Sequence, residues 1–306
     1  MELLSGIPQL IVYGIISGSI ITLGAIGLSL TYRILNFANF SHGDIMSLGA
    51  FLALVSLALL RGLGIPDSPF GPLSFGLPMV LAFFIALLLT ALAAIIIDRI
   101  LYRRLRRTGP IILLIAAVGM AFCLRNIIQF IWGPQPQYYI KAIQIARKIP
   151  LLGIRIKPDE VFIIIVVALL VIGLHFFLQK TKMGKAMRAA SDNMELARVS
   201  GIDTEKVIMW TWAIAAALAA AGGILVGIED KFITPDMGWQ MLLPIFAAVI
   251  LGGIGNPYGA MAGGMIIGLS GEISTAFIST AYKPAVAFII MVIVLIIKPR
   301  GLFGTR

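Results

Sequence analysis

MVLAFFIALLLTALAAIII, the stretch from Met79 to Ile97, contains 19 consecutive residues without a charged side chain. An α-helix rises about 1.5 Å per residue, so roughly 20 apolar residues cross the hydrocarbon core of a bilayer, which is about 30 Å thick. This stretch is long enough and apolar enough to span a membrane as one helix. It predicts that the chain is a membrane protein built from such helices.

Comparable apolar runs lie on both sides of this stretch. Four are as clear as the first, and four more are shorter or interrupted. The clear runs are Gln9–Leu30, Ile111–Ile131, Val161–Leu178 and Val207–Ile228, and the less regular ones are Ile45–Leu60, Met241–Gly253, Tyr258–Thr280 and Ala285–Ile297. The last two flank Pro284 and are either two helices or one broken unit. We therefore predict an all-α polytopic membrane protein with nine transmembrane helices, within a range of eight to ten.

The composition excludes the main soluble classes. Of the 306 residues, 59% are hydrophobic and 12% are charged, whereas a soluble globular domain has roughly 45–50% apolar and about 25% charged residues. A soluble enzyme and a soluble DNA-binding protein are thus excluded. The formal net charge of +10 is expected of a membrane protein, because Lys and Arg collect in cytoplasmic loops. The single cysteine, Cys123, can form neither an intrachain disulfide nor a multi-cysteine metal site.

The positions of the basic residues predict the orientation of the helices. Fifteen of the 24 Lys and Arg lie in alternate segments of the chain, and the richer side is cytoplasmic. These segments are Arg33, Arg99–Arg107, Gln179–Lys206 and Lys298–Arg306. Nine spans then place the N-terminus outside and the C-terminus in the cytoplasm. Only Glu2 and no basic residue precedes the first run, so that run is predicted to be a retained helix rather than a signal peptide.

Two longer segments are predicted to be external. Arg61–Pro78 is rich in proline and should form a stiff, irregular cap. Trp132–Glu160 carries five basic residues, and long translocated loops follow the charge rule only loosely. Composition leaves open whether these loops bind a partner or only connect helices.

Two polar, glycine-containing segments interrupt apolar runs and predict broken helices, at Asn36–Asp44 and at Gly252–Gly259. Unwound backbone at membrane depth is stable only inside protein or beside a water-filled cavity, and paired breaks indicate a transport site. The alternative is a tight cytoplasmic turn, with Asp44 as an ordinary helix-capping charge. The candidate residues of a substrate pathway are Asn36, Asn39, Ser41, His42, Gly43, Asp44, Gly252, Gly253, Gly255 and Asn256.

Two charges lie within predicted spans, where charges are costly. Arg125 and Glu272 are both expected slightly to the external side of the midplane, so we predict that they pair or share a polar cavity. The alternative is that Arg125 extends outward to the interface while Glu272 faces a seam with nearby hydroxyl groups, those of Ser270, Ser274 and Thr275. The spans contain no nucleophile–base pair and no cluster of metal ligands, which argues against an enzyme and predicts no metal site. His42 and His175 are isolated.

The loop Gln179–Lys206 contains the pattern of an amphipathic helix. One face of it is apolar at spacings of three and four residues; its members are Met183, Ala186, Met187, Ala190, Met194 and Ala197. Such a helix either lies on the lipid surface or inserts into a groove on another protein. Periodicity does not decide between the two.

The sequence MGKAMRAASDNMELARVSGID, residues 183–203, resembles the cytoplasmic loop of the branched-chain amino-acid ABC importer permeases. Two further stretches resemble the same family: LNFANFSHGDIMSLGAFLAL (35–54), and GGIGNPYGAMAGGMIIG (252–268) with the terminal KPRGLFG (298–304). The general importer signature is not met, since Arg188-Ala189-Ala190 and Met194 stand where that signature has Glu-Ala-Ala and Gly.

This resemblance implies a single transmembrane permease domain over residues 1–306, within which 179–206 is a coupling loop that inserts into an ATPase subunit. The coupling residues would be Gly184, Met187, Arg188, Ala189, Asp192, Ala197 and Gly201. It also implies a multi-pass protein of the bacterial inner membrane. The family function is ATP-driven import of branched-chain or other neutral amino acids by alternating access.

The resemblance further implies partner subunits. The chain lacks the GxxxxGK[ST] motif, so no cofactor is expected on it, and ATP would bind to two separate ATPase subunits. The other partners would be a second permease chain, identical or homologous, and an external binding protein docked on the two external loops. Two alternatives remain open: a permease for urea or short amides, and an ATP-independent channel or carrier.

Overall fold

The structure is a computed structural model that describes residues 2–106, 108–140, 144–149 and 154–304. The basic residues Arg107, Lys141 and Arg306, which enter the charge count, lie outside the described residues. The described part of the chain is mainly helical. Its α-helices are α1 (Glu2–Leu35), α2 (His42–Gly62), α3 (Leu77–Ile97), α4 (Arg103–Leu105), α5 (Pro110–Trp132), α6 (Pro158–Lys180), α7 (Lys182–Asp192), α8 (Met194–Val199), α9 (Thr204–Glu229), α10 (Met237–Gly252), α11 (Pro257–Ser274) and α12 (Lys283–Ile297).

Three short elements complete the description. A π-helical turn, Asp98–Tyr102, joins α3 to α4, and a 3-10 turn, Thr280–Tyr282, precedes α12. Strands β1 (Arg147–Ile149) and β2 (Ile154–Ile156) form an antiparallel pair in which Arg147 lies opposite Ile156.

The all-α polytopic membrane fold is confirmed. Seven of the helices in the described residues are long and apolar enough to cross a membrane, namely α1, α2, α3 with its extension to Leu105, α5, α6, α9, and α12 with the preceding 3-10 turn. The two remaining predicted spans correspond to α10, which has 16 residues, and to α11. The runs on either side of Pro284 belong to two separate helices, because the 3-10 turn interrupts the chain between α11 and α12.

Helices α1 and α9 form the centre of the bundle and are buried over most of their length. In contrast, α3, α5, α6 and α12 expose long apolar side chains, such as Leu88, Ile111 and Phe130. Apolar side chains exposed around a bundle of membrane helices face the lipid, which satisfies them without further packing. The polar positions of interest therefore lie against α1 and α9.

The two ends of the bundle are defined by α1. Near its start, the Gln9 side-chain amide and the backbone of Arg155 in β2 exchange two hydrogen bonds of 2.8 and 2.7 Å. Near the end of α1, Arg33 lies beside Gly255, and Gly253 packs against Gly304 close to the C-terminus. We call these the predicted external end and the predicted cytoplasmic end, after the sequence analysis.

Candidate functional site

The first predicted break is a segment that runs back into the bundle. Helix α1 ends at Leu35, and α2 begins at His42. The Nε2 atom of the buried His42 lies 3.0 Å from the carbonyl oxygen of Gly24. Gly24 precedes Leu35 by eleven residues, which is about 16 Å of helix rise. The linker therefore runs back along α1 far enough for the His42 side chain to reach the Gly24 carbonyl, and a tight turn at the end of α1 is wrong for this segment.

The residues of this break differ in position. Asn36, with φ of 54°, is exposed at the end of α1. Asn39 and Ser41 are fully buried, and the Ser41 hydroxyl donates a 2.7 Å hydrogen bond to Asn39 Oδ1. His42, Gly43 and Asp44, predicted to be part of the unwound segment, already form the first turn of α2. Only the stretch from Asn36 to Ser41 is without helix.

The second predicted break, Gly252–Gly259, is a turn between α10 and α11 at the predicted cytoplasmic end. Gly253 and Gly255 adopt φ of 103° and 83°, a region that favours glycine. Asn256 caps α11 by accepting hydrogen bonds from the next two free backbone N–H groups, and it donates to the carbonyl of Phe303. The expectation that Gly252, Gly253, Gly255 and Asn256 form a second deep break is corrected here, since the C-terminal residues cover this turn at the end of the bundle.

The structural counterpart of the first break is the start of α10. The backbone N–H of Gly238 donates a 2.9 Å hydrogen bond to Ser47 Oγ of α2. A Cβ atom added to Gly238 would lie 1.8 Å from the carbonyl oxygen of Gly43, so the first turns of α2 and α10 touch. From this point α2 leads to the predicted external end and α10 to the predicted cytoplasmic end. Two helix N-termini inside a membrane bundle are typical of transport sites.

An ion pair lies beside this junction. Arg125 of α5 donates two hydrogen bonds to the carboxylate of Asp44, of 2.9 and 3.2 Å. Asp44 is fully buried, and the Arg125 side chain is only 14% exposed. The guanidinium also lies over the rings of Trp239 and Phe122, 4.7 and 5.5 Å from their centroids. The predicted pairing of Arg125 with Glu272 is wrong, because the re-entrant start of α2 brings Asp44 within reach.

Glu272 has other partners. It accepts hydrogen bonds of 2.7 Å from the ammonium of Lys283 and of 2.9 Å from the Ser17 hydroxyl. The alternative seam with nearby hydroxyls is not observed either, since those groups bond to backbone carbonyls of their own helix; they are Ser270, Ser274 and Thr275. Arg125 and Glu272 thus belong to two separate charge pairs rather than to one shared site.

An aromatic layer closes the predicted cytoplasmic side of the break. The Tyr102 ring stacks on Trp212 at 4.9 Å and lies 5.3 Å from Phe37. Its hydroxyl is 3.0 Å from Ser41 Oγ. On the far side of Phe37 and Tyr102 lies a cavity of about 620 Å³, lined also by residues of the coupling loop and of the start of α9. We call Phe37, Tyr102 and Trp212 the aromatic layer.

The π-helical turn that carries Tyr102 is connected to the start of α9 by ion pairs. Tyr102 ends the π-helical turn that begins at Asp98, and π-turns within helices are frequent at functional sites. Arg106 contacts Asp98 at 2.5 Å and Glu205, in the first turn of α9, at 3.0 Å. Sequence reasoning used this basic stretch only for orientation. A cue was available in the aspartate and tyrosine within an otherwise apolar and basic helix end.

The loop Gln179–Lys206, predicted to be a coupling loop, contains two short helices, α7 and α8, instead of one. Asn193 ends α7 and caps α8 by accepting a hydrogen bond from the Leu196 N–H. Most of the predicted coupling residues are turned inward or are partly covered: Gly184, Met187 and Ala197 are buried, Arg188 and Ala189 are intermediate, and Asp192 and Gly201 are exposed. The apolar face predicted for a lipid surface or a partner groove is thus largely packed against the chain's own bundle.

The exposed apolar residues of this loop lie on α8. Leu196 is 63% and Val199 is 85% exposed. Sequence periodicity missed them because they fall outside the regular apolar face. They lie three residues apart on one short helix and are candidates for a contact surface.

The two loops that are predicted to be external are held together by one carboxylate. Asp159, which is 1% exposed, accepts hydrogen bonds from the Ser74 N–H at 3.0 Å, from the Gln144 amide at 3.0 Å and from the Lys231 ammonium at 2.6 Å; the Ser74 hydroxyl contacts it as well. These donors come from three different connections between helices. The loops 61–78 and 132–160 therefore form one surface.

Replacing Asp159 by asparagine is expected to loosen this surface. The ammonium of Lys231 would lose its partner, and breaking one side of a partly buried pair costs about 1–3 kcal/mol. The thermal unfolding midpoint of the purified protein measures the loss. Asp67→Asn, which disrupts the more exposed pair with Arg61 (2.6 Å), serves as the control and should cost under about 1 kcal/mol. Equal midpoints for both variants would contradict a central role of Asp159.

The two histidines take part in separate interactions. His42 contacts the Gly24 carbonyl, and His175 Nδ1 lies 2.9 Å from the Tyr258 hydroxyl. Within the residues that the structure describes, no three His, Cys, Asp or Glu side chains are grouped so as to hold a metal ion.

Comparisons with known proteins agree with this architecture. Residues 10–295 match the family described as the permease component of branched-chain amino acid transport systems. The permease BraD of Pseudomonas aeruginosa, named as part of a high-affinity branched-chain amino acid transport system, is 30% identical over 299 residues, which cover 97% of this chain and 95% of BraD. The corresponding LivH of Escherichia coli is 32% identical over 296 residues, covering 95% and 93%.

A solved structure shares the fold. PsaBC from Streptococcus pneumoniae, determined in complex with Fab, matches with a TM-score of 0.51 and 14% identity over 98% of this chain and 96% of that chain. The helical architecture is thus known from experiment, and the family match covers almost all of the sequence. This chain belongs to the permease components of branched-chain amino acid transport systems.

Proposed function

We propose that this chain is the permease subunit of an ATP-driven ABC importer for branched-chain or other neutral amino acids, and that it works by alternating access. The observation that carries the proposal is the junction of α2 and α10, where Gly43 and Gly238 bring two helix N-termini together inside the bundle. Helix N-termini favour anionic groups, and a neutral amino acid carries a carboxylate. The family membership points to the same class of substrate.

The pathway would follow the first break. A solute that leaves the junction of α2 and α10 would pass Asn39 and Ser41 and reach the cavity beyond the aromatic layer. Among the described side chains, Asn39 Nδ2 and Trp212 Nε1 are buried without a hydrogen-bond partner. Their N–H groups would be free to donate hydrogen bonds to a solute on this route. Movement of Tyr102 would open the route to the predicted cytoplasmic end.

The driving force would come from partner subunits. In this proposal two ATPases contact α7 and α8 and move α9 through Glu205 and Arg106. A second permease chain completes the membrane unit, and an external binding protein docks on the surface organised by Asp159. The protein then lies in a bacterial inner membrane, with the N-terminus outside and the C-terminus in the cytoplasm.

Purification and transport assays test the proposal. The tagged chain, extracted from its native membrane in mild detergent, is expected to carry ATPase subunits and a second permease with it. The complex in liposomes, supplied with the binding protein, should take up labelled leucine only with ATP. Uptake of labelled urea instead of leucine would move the substrate to the urea and amide class. Uptake of leucine at the same rate by the isolated chain without ATP would overturn the proposal in favour of a channel or carrier.

A further inference from the structure

The Arg125–Asp44 pair carries a larger desolvation cost than an apolar contact at the same place would. Its partners are 14% and 0% exposed and come from two helices within the membrane bundle. Replacing a buried ion pair by apolar side chains is often neutral or stabilising, because desolvation offsets the attraction between the charges. Ionisable groups inside membrane bundles are accordingly functional candidates.

We propose that Arg125 and Asp44 together bind the charged groups of a zwitterionic amino acid, an inference that rests on the function proposed above. The guanidinium of Arg125 would bind the α-carboxylate, and the carboxylate of Asp44 would bind the α-ammonium group. The zwitterion inserts between two charges that now neutralise each other. Each charge exchanges one partner for another of the same sign, so no uncompensated charge remains in the membrane at any stage.

The geometry of the pair suits this exchange. Arg125 presents two N–H groups to the two oxygens of Asp44, and the same fork fits any carboxylate. The pair lies beside the first turns of α2 and α10, whose N–H groups stabilise a carboxylate placed there. The Arg125 guanidinium and the two helix N-termini would thus both bind the carboxylate of the substrate. The carboxylate of Asp44 would bind its ammonium group.

The neighbouring aromatic rings supply the apolar part of the site. Phe122 and Trp239 lie against the guanidinium, and Phe122 also lines a depression on the exposed face of α5 together with Cys123 and Asn126. The ring of Phe122 therefore lies between the Arg125–Asp44 pair and the exposed face of α5. An aliphatic side chain such as that of leucine, isoleucine or valine would pack on these rings.

The Glu272–Lys283 pair provides a control within the same chain. Glu272 and Lys283 are in contact at 2.7 Å and lie away from the junction of α2 and α10, next to Ser17. Their side chains are 12% and 35% exposed, so this pair is less buried than the Arg125–Asp44 pair. Neutralising it removes an ion pair between two helices without touching the proposed binding site.

The test compares two double variants of the complete transport complex in liposomes. Asp44→Asn with Arg125→Gln is expected to lower ATP-driven leucine uptake about 100-fold or more, as expected when a site built for a polar group loses its partners. Glu272→Gln with Lys283→Met should stay within about threefold of the unmodified complex. Leucine uptake by the Asp44/Arg125 variant at the level of the control would overturn the proposal and make the pair structural.

A binding measurement covers the case in which the Asp44/Arg125 variant does not assemble. Without binding protein, millimolar leucine should raise the thermal midpoint of the unmodified complex, because a ligand that binds the folded state stabilises it. The analogues 4-methylpentanoate, which lacks the ammonium, and 3-methylbutylamine, which lacks the carboxylate, should not. A similar shift with either analogue would also overturn the zwitterion site.

The outcomes separate this inference from the proposed function. If the unmodified complex takes up leucine with ATP but the double variant does so equally well, only the binding site is wrong. If the unmodified complex shows no ATP-dependent uptake, the proposed function itself fails.

Discussion

Replacement of Gly238 by alanine is expected to abolish transport and to destabilise the protein. The added Cβ atom would lie 1.8 Å from the carbonyl oxygen of Gly43 and 2.7 Å from Ser47 Oγ, so the backbones of α2 and α10 must separate. Overpacking usually costs about 1–3 kcal/mol, and we expect about 3 kcal/mol or more here because the obstacle is backbone. Leucine uptake and the thermal midpoint of the purified protein measure the two effects.

Two further variants make the expectation specific. Gly43→Ala should have a similar effect, since its Cβ would meet the Gly238 carbonyl oxygen at 2.3 Å. Gly173→Ala, within α6 and without any atom near the added Cβ, should be neutral or stabilising by up to about 1 kcal/mol, because alanine favours helix. Normal uptake by Gly238→Ala would show that α2 and α10 do not cross at these glycines.

The membrane fold was predictable because each span is recorded locally in the sequence. Runs such as Met79–Ile97 require a helix of fixed length, and the predicted spans correspond to observed helices. The pairing of charges was not predictable in the same way. The depth of Arg125 was read along α5, whereas the depth of Asp44 depends on a linker that runs back along α1 toward Gly24, which nothing in the local pattern specifies.

The short length of helix α10 was visible in the sequence, but it did not single out a half-helix, because the predicted span Ala285–Ile297 is equally short and belongs to the spanning helix α12. The predicted span Met241–Gly253 has only 13 residues, too few to cross about 30 Å of hydrocarbon. A run of that length is consistent with a half-helix that starts inside the bundle, as α10 does at Met237. The first break could likewise be located in the sequence, but which other helix start it meets is a matter of tertiary packing.

The coupling loop shows a different limit of sequence reasoning. Spacing predicted a helix with an apolar face that includes Met187, and this face exists. Periodicity cannot tell whether such a face is covered by the chain itself or by another protein. In the structure the chain covers it, since Gly184, Met187 and Ala190 are all buried, whereas Leu196 and Val199 are exposed.

If the proposed ATPase subunits contact α8, replacement of both Leu196 and Val199 by aspartate is expected to uncouple the permease from them. These side chains are 63% and 85% exposed, so the change should leave the fold of the isolated chain within about 0.5 kcal/mol of the original. In an interface, the same change buries two unpaired charges and removes two apolar contacts. A loss of affinity of 100-fold or more follows if each residue contributes about 1.5–2 kcal/mol.

Co-purification of ATPase subunits and ATP-driven leucine uptake measure this loss, and Lys182→Asp is the matched control. Lys182 is exposed at the start of α7, on the same loop but away from the two apolar residues, so its reversal of charge should leave both readouts within about threefold. Retention of the ATPases by the double aspartate variant, with full uptake, would place the contact on another surface. Loss of ATPases with an unchanged thermal midpoint would instead assign the coupling contact to α8, because no effect on the permease fold could then account for the lost transport.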